Sequence, residues 1–133
     1  MTQEDKELLL KDLCARLPYE VKVKFYDHWV DEYEIIPLTA KLLSDTVYIG
    51  DIKPYLFPLS SMTEEQKEEL KNEISKQTDI LIERMKNDDC GIDCGKYHFH
   101  SLLELEWLLK NHFDYRGLIE KGLALDATGL NIY

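Results

Sequence analysis

The sequence predicts an α+β fold: an N-terminal helix, a small antiparallel sheet or partly closed barrel of three to four strands, then two to three packed helices. Three observations carry this reading. Apolar residues recur at helical spacing near the N-terminus and again beyond residue 63. Between those stretches, short segments alternate apolar and polar side chains, the period of a half-buried strand. Pro18 ends the first helical stretch and Gly50 ends a strand, while Pro54 and Pro58 restrict the last extended piece.

Residues 3–17 read as the first helix. Thr2 and Asp5 have capping-box spacing. Leu9, Leu10, Leu13, Cys14 and Leu17 form one apolar stripe, which makes Cys14 a small core residue. Glu7–Lys11 and Asp12–Arg16 are i,i+4 pairs on the wet side. Pro18 ends the helix, because it has no N–H and disfavours helical geometry in the residue before it.

Residues 20–27 alternate, with Val21, Val23 and Phe25 on one face and Lys22, Lys24 and Tyr26 on the other. Further strands are predicted near 32–37, at 46–50, and from Ile52 to Phe57. Pro54 and Pro58 restrict the last of these to an edge. Residues 64–86 read as a second helix, opened by a Thr63–Gln66 capping box and carrying Leu70, Ile74, Leu81 and Met85 at helical spacing. Its Glu/Lys-rich remainder is a solvated face. Residues 87–97 are turn-rich. A helix over 102–111 follows, with Leu102, Leu105, Leu108 and Leu109 on its buried face and Ser101–Glu104 as capping box. A short helix is predicted over 114–121, capped by Asp114, with Arg116 pairing locally. The apolar tail, with Leu125, Leu130, Ile132 and Tyr133, is expected to dock on the body.

The totals narrow the function classes. The chain has 133 residues, 16 Lys and Arg against 26 Asp and Glu, and a formal charge of −10. With 44% apolar and 32% charged residues it is too apolar for an acidic disordered tail and too charged for a membrane protein. Its acidity disfavours a broad phosphate-gripping face. Lys22, Lys24 and Tyr26 alone make a poor nucleic-acid footprint. The length suits one domain over residues 1–133. Three cysteines, an odd set, do not suit a secreted disulfide framework, and the acidic start MTQEDKELLL has no signal-peptide character. A cytoplasmic location is therefore expected.

Three segments, LLLKDLCARLPY at 8–19, KPYLFPLSSMT at 53–63 and HFDYRGLIEKGLALDATGLNIY at 112–133, together cover about 45 of the 133 residues. They resemble a group of small acidic proteins of gut anaerobic bacteria and their phages or mobile elements, a group with no known activity. The resemblance implies that origin and a shared framework. It brings no catalytic residue, substrate or cofactor.

Two constellations could carry chemistry. Cys90, Cys94, His98 and His100 are spaced C-x3-C-x3-H-x-H. Thiolate and imidazole are zinc's preferred ligands, and four of them can close a tetrahedral site. If 96–100 is extended, both histidines share a face. The usual C-x2-C knuckle is missing, so the plainer reading is a surface loop with free thiols. Asp88, Asp89 and Asp93 fail the calcium-loop test, since Lys86 and Cys90 fall where oxygen ligands are needed. The second constellation is Asp27, Asp31, Glu32 and Glu34, interleaved with Tyr26, His28, Trp29 and Tyr33, with no Lys or Arg from 25 to 40. The plainest reading is a solvated hairpin turn whose aromatics pack inward. The functional reading is a binding patch of Asp27, Trp29, Asp31, Glu32 and Glu34 that meets a basic partner. Paired carboxylates acting as acid and base, or on a divalent metal, come last.

Nucleophilic catalysis finds no G-x-S-x-G, and phosphate binding finds neither glycine-loop motif. His112 follows a helix end, where its charge would cap the helix. The expected function is therefore that of a non-enzymatic accessory protein, without cofactor, that binds a protein partner through an acidic surface. The alternative is a small zinc-binding protein using the Cys/His cluster, and a hydrolase is third.

Overall fold

The computed structural model describes residues 1–45, 49–85 and 102–133. The architecture is α+β in the expected order, with an N-terminal helix, a small sheet and then further helices. The chain divides into two compact units, Met1–Ser61 with Leu109–Tyr133, and Met62–Leu108.

In the first unit, helix α1 spans Gln3–Arg16. Its capping box forms as the spacing predicts. The Thr2 hydroxyl accepts from the Asp5 N–H at 3.1 Å, and the Asp5 carboxylate accepts from the Thr2 N–H at 3.2 Å. The buried face is the predicted one only in part, with Leu9 and Leu13 buried as expected and Leu17 packed against the core. It consists of Leu9, Asp12, Leu13 and Arg16, while Leu10 and Cys14 are exposed. Cys14 is thus a surface thiol, and the Asp12–Arg16 pair expected in water lies wholly inside. The physical reason is that the interior offers this pair partners from far along the chain. Arg16 Nε donates to Asp12 Oδ2 at 2.7 Å, and Arg16 Nη2 donates to the Phe113 carbonyl at 2.7 Å. Arg116 Nε comes within 3.3 Å of Asp12 Oδ1, an ion contact without hydrogen-bond geometry. Arg116 therefore pairs with α1 and not locally. Both guanidinium groups lie over the Tyr115 ring, at 5.6 and 4.8 Å from its centroid.

A short 3-10 turn at Leu17–Tyr19 contains Pro18, and Glu20 in left-handed backbone (φ 55°) swings the chain into strand β1, Lys22–Asp27. Strand β2, Glu32–Pro37, pairs antiparallel with β1, Tyr26 opposite Tyr33 and Val23 opposite Ile36. A short helix, α2 (Ala40–Asp45), follows, its first turn capped by the Thr39 hydroxyl. Sequence reading had no helix there. Of the strand predicted over 46–50, residues 46–48 lie outside the described residues, and Ile49–Asp51 is a 3-10 turn.

Strand β3, Ile52–Pro58, is the hub of the sheet and not the edge that its prolines suggested. It pairs antiparallel with β1, and parallel with the two-residue strands β4 (Phe113–Asp114) and β5 (Leu125–Asp126). The Phe57 N–H donates to the His112 carbonyl, and the Leu56 carbonyl accepts from the Ala127 N–H, both at 2.8 Å. The carbonyl of one residue and the N–H of the next point oppositely, so β4 and β5 flank β3 on opposite edges. Pro54 is tolerated for a related reason. Val21 turns its carbonyl to the β2 side, toward Leu38, so Lys22 and Lys24 face β3 and meet its odd-numbered residues. Pro54's missing N–H falls on the other edge, and the β1–β3 ladder loses no donor. The five-stranded sheet is open and mixed, whereas the sequence suggests an antiparallel sheet or a partly closed barrel; the parallel pairs come from β4 and β5. Leu9, Leu13, Val21, Val23, Leu38, Ile52, Leu56, Leu118, Leu123 and Ala124 form the core.

The segment predicted as a helix over 114–121 forms turns instead. Asp114 does cap them, accepting from the Leu118 and Ile119 N–H groups at 2.9 Å each. Gly122, at φ 73°, lets the Leu123 N–H return to the Leu118 carbonyl at 2.9 Å, a reversal that favours a residue without Cβ. The tail docks as expected. The Tyr133 hydroxyl accepts from the Lys22 N–H at 2.9 Å and donates to the Tyr55 carbonyl at 2.7 Å, bridging β1 and β3 beyond their last ladder bond. Lys22 Nζ donates to the Ile132 carbonyl.

In the second unit, helix α3 runs unbroken over Glu64–Met85. Its Thr63–Gln66 capping box closes with bonds of 2.9 and 3.2 Å. Thr78, which interrupts the apolar stripe, is buried and donates to the Ile74 carbonyl at 2.6 Å. Helix α4 covers residues 102–110, the last two of which, from Leu109, are counted in the first unit. Its buried side chains include Trp107, Leu108 and Leu109, whereas Leu102 is exposed. The Ser101 cap lies outside the described residues. Among the described residues, no helix is long and apolar enough to cross a membrane.

Asp12→Ala is expected to destabilise the protein by about 3–5 kcal/mol, since it leaves Arg16 buried without its counter-charge. In urea unfolding, Asp12→Ala with Arg16→Met should lose less than the two single changes summed, because the double change removes both charges together.

Candidate functional site

The β1–β2 hairpin carries the binding patch read from the sequence. Local chemistry shapes its tip. Asp27 Oδ1 accepts from the Trp29 N–H at 2.8 Å, an Asx-type turn that reverses the chain. Asp31 then takes left-handed backbone at φ 55°, which Asp tolerates better than most residues, and leads into β2. Two of the four acids therefore build the turn as well as charge it, Asp27 through its carboxylate and Asp31 through its backbone. The aromatics do not pack inward as the plain reading had it. Trp29 is 98% exposed, and Val30 and Tyr33 are also exposed. Glu32 and Glu34 are exposed too, on the strand face opposite Tyr33.

Register explains why these apolar groups stay outside. Val23 and Phe25 point into the core, so Lys24 and Tyr26 point out, and their cross-strand partners Ile35 and Tyr33 go with them. The Tyr26 and Tyr33 rings meet at 5.0 Å between centroids. Lys24 Nζ sits 4.5 Å from the centre of the Tyr33 ring, a cation–π contact. His28 packs edge-on against Tyr26 at 4.6 Å, and its Nε2 lies 2.6 Å from Asp51 Oδ2.

Behind the tip, the same outer face holds a cleft of about 360 Å³, lined by Lys24, Tyr26, His28, Tyr33, Gly50, Asp51, Lys53 and Leu125. Sequence reading singled out Lys24, Tyr26, His28 and Tyr33 but missed Lys53, Asp51 and Leu125. Alternation along 52–57 places Lys53 on one face, but only the register sets it opposite Lys24. Leu125 arrives on β5, a pairing over 70 residues of chain that no local pattern announces.

The second predicted constellation, Cys90, Cys94, His98 and His100, lies outside the described residues. Among the described residues, no three His, Cys, Asp or Glu side chains group so as to hold a metal ion. Asp27, Asp31, Glu32 and Glu34 therefore do not form such a group.

His112 is not the charged helix cap expected of it. It adopts left-handed backbone (φ 63°) just past α4, and its ring stacks on Tyr133 at 3.9 Å and 14°. Burial, and then the nearby Arg16 charge, pull its pKa from 6.5 to about 4, so the imidazole is neutral near pH 7. Burial likewise pushes the Tyr133 phenol up to about 12. These groups fasten the tail to the sheet.

Compared with known protein families, curated proteins and solved structures, the chain matches none.

Two outcomes follow from the geometry. Trp29→Ala is expected to change the unfolding free energy by less than about 0.5 kcal/mol, because the side chain buries almost nothing. His112 binds its proton near pH 6.5 when unfolded but only near 4 when folded. Its contribution is therefore complete above pH 6.5 and declines as pH falls toward 4. Urea midpoints across that window should fall less steeply for His112→Asn, which keeps a residue tolerant of left-handed backbone.

Proposed function

We infer that this chain is a non-enzymatic accessory protein that acts in the cytoplasm by binding a protein partner through the β1–β2 hairpin. The observation that carries this reading is Trp29, 98% exposed at the turn of a hairpin whose stretch 25–40 holds the acids Asp27, Asp31, Glu32 and Glu34 and no Lys or Arg. Leaving a large apolar ring in water forgoes about 1.5–3 kcal/mol of burial, so the folded monomer gains nothing from it. Tryptophan is the residue type most often found anchoring interfaces, where it fills a desolvated socket. The partner surface that fits has an apolar socket rimmed by Lys or Arg. Opposite fields speed encounter and fix register, while the ring supplies most of the affinity. A supporting role of this kind agrees with the phage or mobile-element origin that the sequence resemblance implies.

A photo-crosslinking residue at position 29 tests this reading. Crosslinks to one protein are expected, and the binding constant of that purified partner should weaken at least about tenfold for Trp29→Ala and for Asp31→Lys with Glu34→Lys. Rising salt should slow its association. Equal affinity for wild type and both variants would overturn the assignment.

A further inference from the structure

The outer sheet face carries a charge arrangement that folding does not explain. Lys24 and Lys53 stand directly opposite each other on β1 and β3. Like charges in that position repel and destabilise a sheet. The chain has 26 carboxylate residues available to relieve the repulsion, yet among the described residues no ion pair reaches either lysine. The one acid lining the cleft, Asp51, is turned to His28 at 2.6 Å. Lys24 instead rests its ammonium on the Tyr33 ring, which holds the charge in place without neutralising it. A local excess of positive charge thus lies in a cleft of about 360 Å³ on a protein whose total is −10.

We propose that this cleft binds a small ring-bearing phosphate of nucleotide size, with the phosphate between Lys24 and Lys53 and the ring against Tyr26, Tyr33 and Leu125. The paired ammonium groups supply the counter-charge that a phosphate needs, and its binding removes the repulsion between them. The two tyrosines and Leu125 give a ring an apolar, stackable wall. The volume falls at the lower end of the roughly 300–1,000 Å³ that small-molecule sites occupy, which fits a single nucleotide unit. A free small molecule is favoured over a nucleic-acid strand. Among the described residues only two lysines line the cleft, and beyond them a chain of net charge −10 repels an extended polyanion. A compact ligand stays within about one Debye length of the lysines.

The test is titration of the full chain with adenosine 5′-monophosphate at low salt, followed by calorimetry and by tyrosine fluorescence. Saturable binding with a Kd of about 0.01–1 mM is expected, weakened at least about tenfold by Lys53→Gln and by Lys24→Gln. Adenosine without its phosphate, and inorganic phosphate without its ring, should each bind at least about tenfold more weakly. The thermal midpoint of unliganded Lys53→Gln should equal or exceed that of wild type, since a repulsion has been removed; a merely structural lysine would give a loss. The proposal is overturned by absence of saturable binding, by affinity unchanged in both lysine variants, or by a short 5′-phosphorylated oligonucleotide binding at least about tenfold more tightly than the mononucleotide. These readouts are independent of Trp29, so they separate this site from the hairpin's protein-binding role.

Discussion

The structure of the first unit turns on the buried Asp12–Arg16 pair. Both side chains are fully buried, and burying an ion pair costs less when further polar groups meet it; Arg16 Nη1 and Asp12 Oδ1 still make no hydrogen bond. Arg16 finds the Phe113 carbonyl, 97 residues along the chain. That bond holds the start of β4 against the end of α1. With Phe113 placed, Asp114 can cap the turn that carries Leu118 into the core, and Arg116 can approach Asp12. Apolar packing alone would join helix to sheet without selecting one alignment. A charged group with fixed donor directions selects one, because every slipped arrangement leaves a buried charge unpaired.

The sheet transmits that alignment outward. β3 is gripped on one edge by β1 and β4 and on the other by β5, and the Tyr133 hydroxyl closes the gap between β1 and β3. His112 stacks beneath the Tyr133 ring, so the tail is held by both ring contact and hydrogen bonds. On this frame the β1–β2 hairpin projects with its ladder intact to Asp27 and Glu32. Side chains on these regular strands, Tyr26 and Tyr33 among them, are fixed more closely than side chains on a loop.

Two adjoining surfaces of opposite character result. The hairpin tip is acidic around an exposed tryptophan, and the cleft behind it is cationic between two tyrosines. Each carries a feature that costs stability in the isolated protein: an unburied indole in one, facing ammonium groups in the other. Such local departures from what folding alone would select are where function is to be sought. They are close in the fold and differ in chemistry, an acidic turn with an exposed indole in one and two lysines among aromatic rings in the other.

Local pattern was enough for α1, β1, β2 and α3. The Thr2–Asp5 and Thr63–Gln66 caps, the alternation of Val21, Val23 and Phe25, and the docking of the C-terminal tail all follow from short-range spacing or apolarity, and all form. The hairpin patch was legible in part, since the run of acids and aromatics from 26 to 34 is contiguous. Tertiary structure decided the rest. Helical spacing treats Asp12 and Arg16 as solvent-facing because charge is assumed to seek water, and only the distant Phe113 carbonyl makes their burial possible. Proline in a strand argues for an edge until the register shows which side its missing N–H faces. The cleft needed Lys53 and Leu125 brought beside Lys24 by strand pairing. Sequence by itself determined α1, β1, β2 and α3 and their caps, because those preferences act between near neighbours. Which charges are buried, which lysines face each other and which strand is central depended on contacts between residues far apart in the chain, and these exist only once the chain has folded.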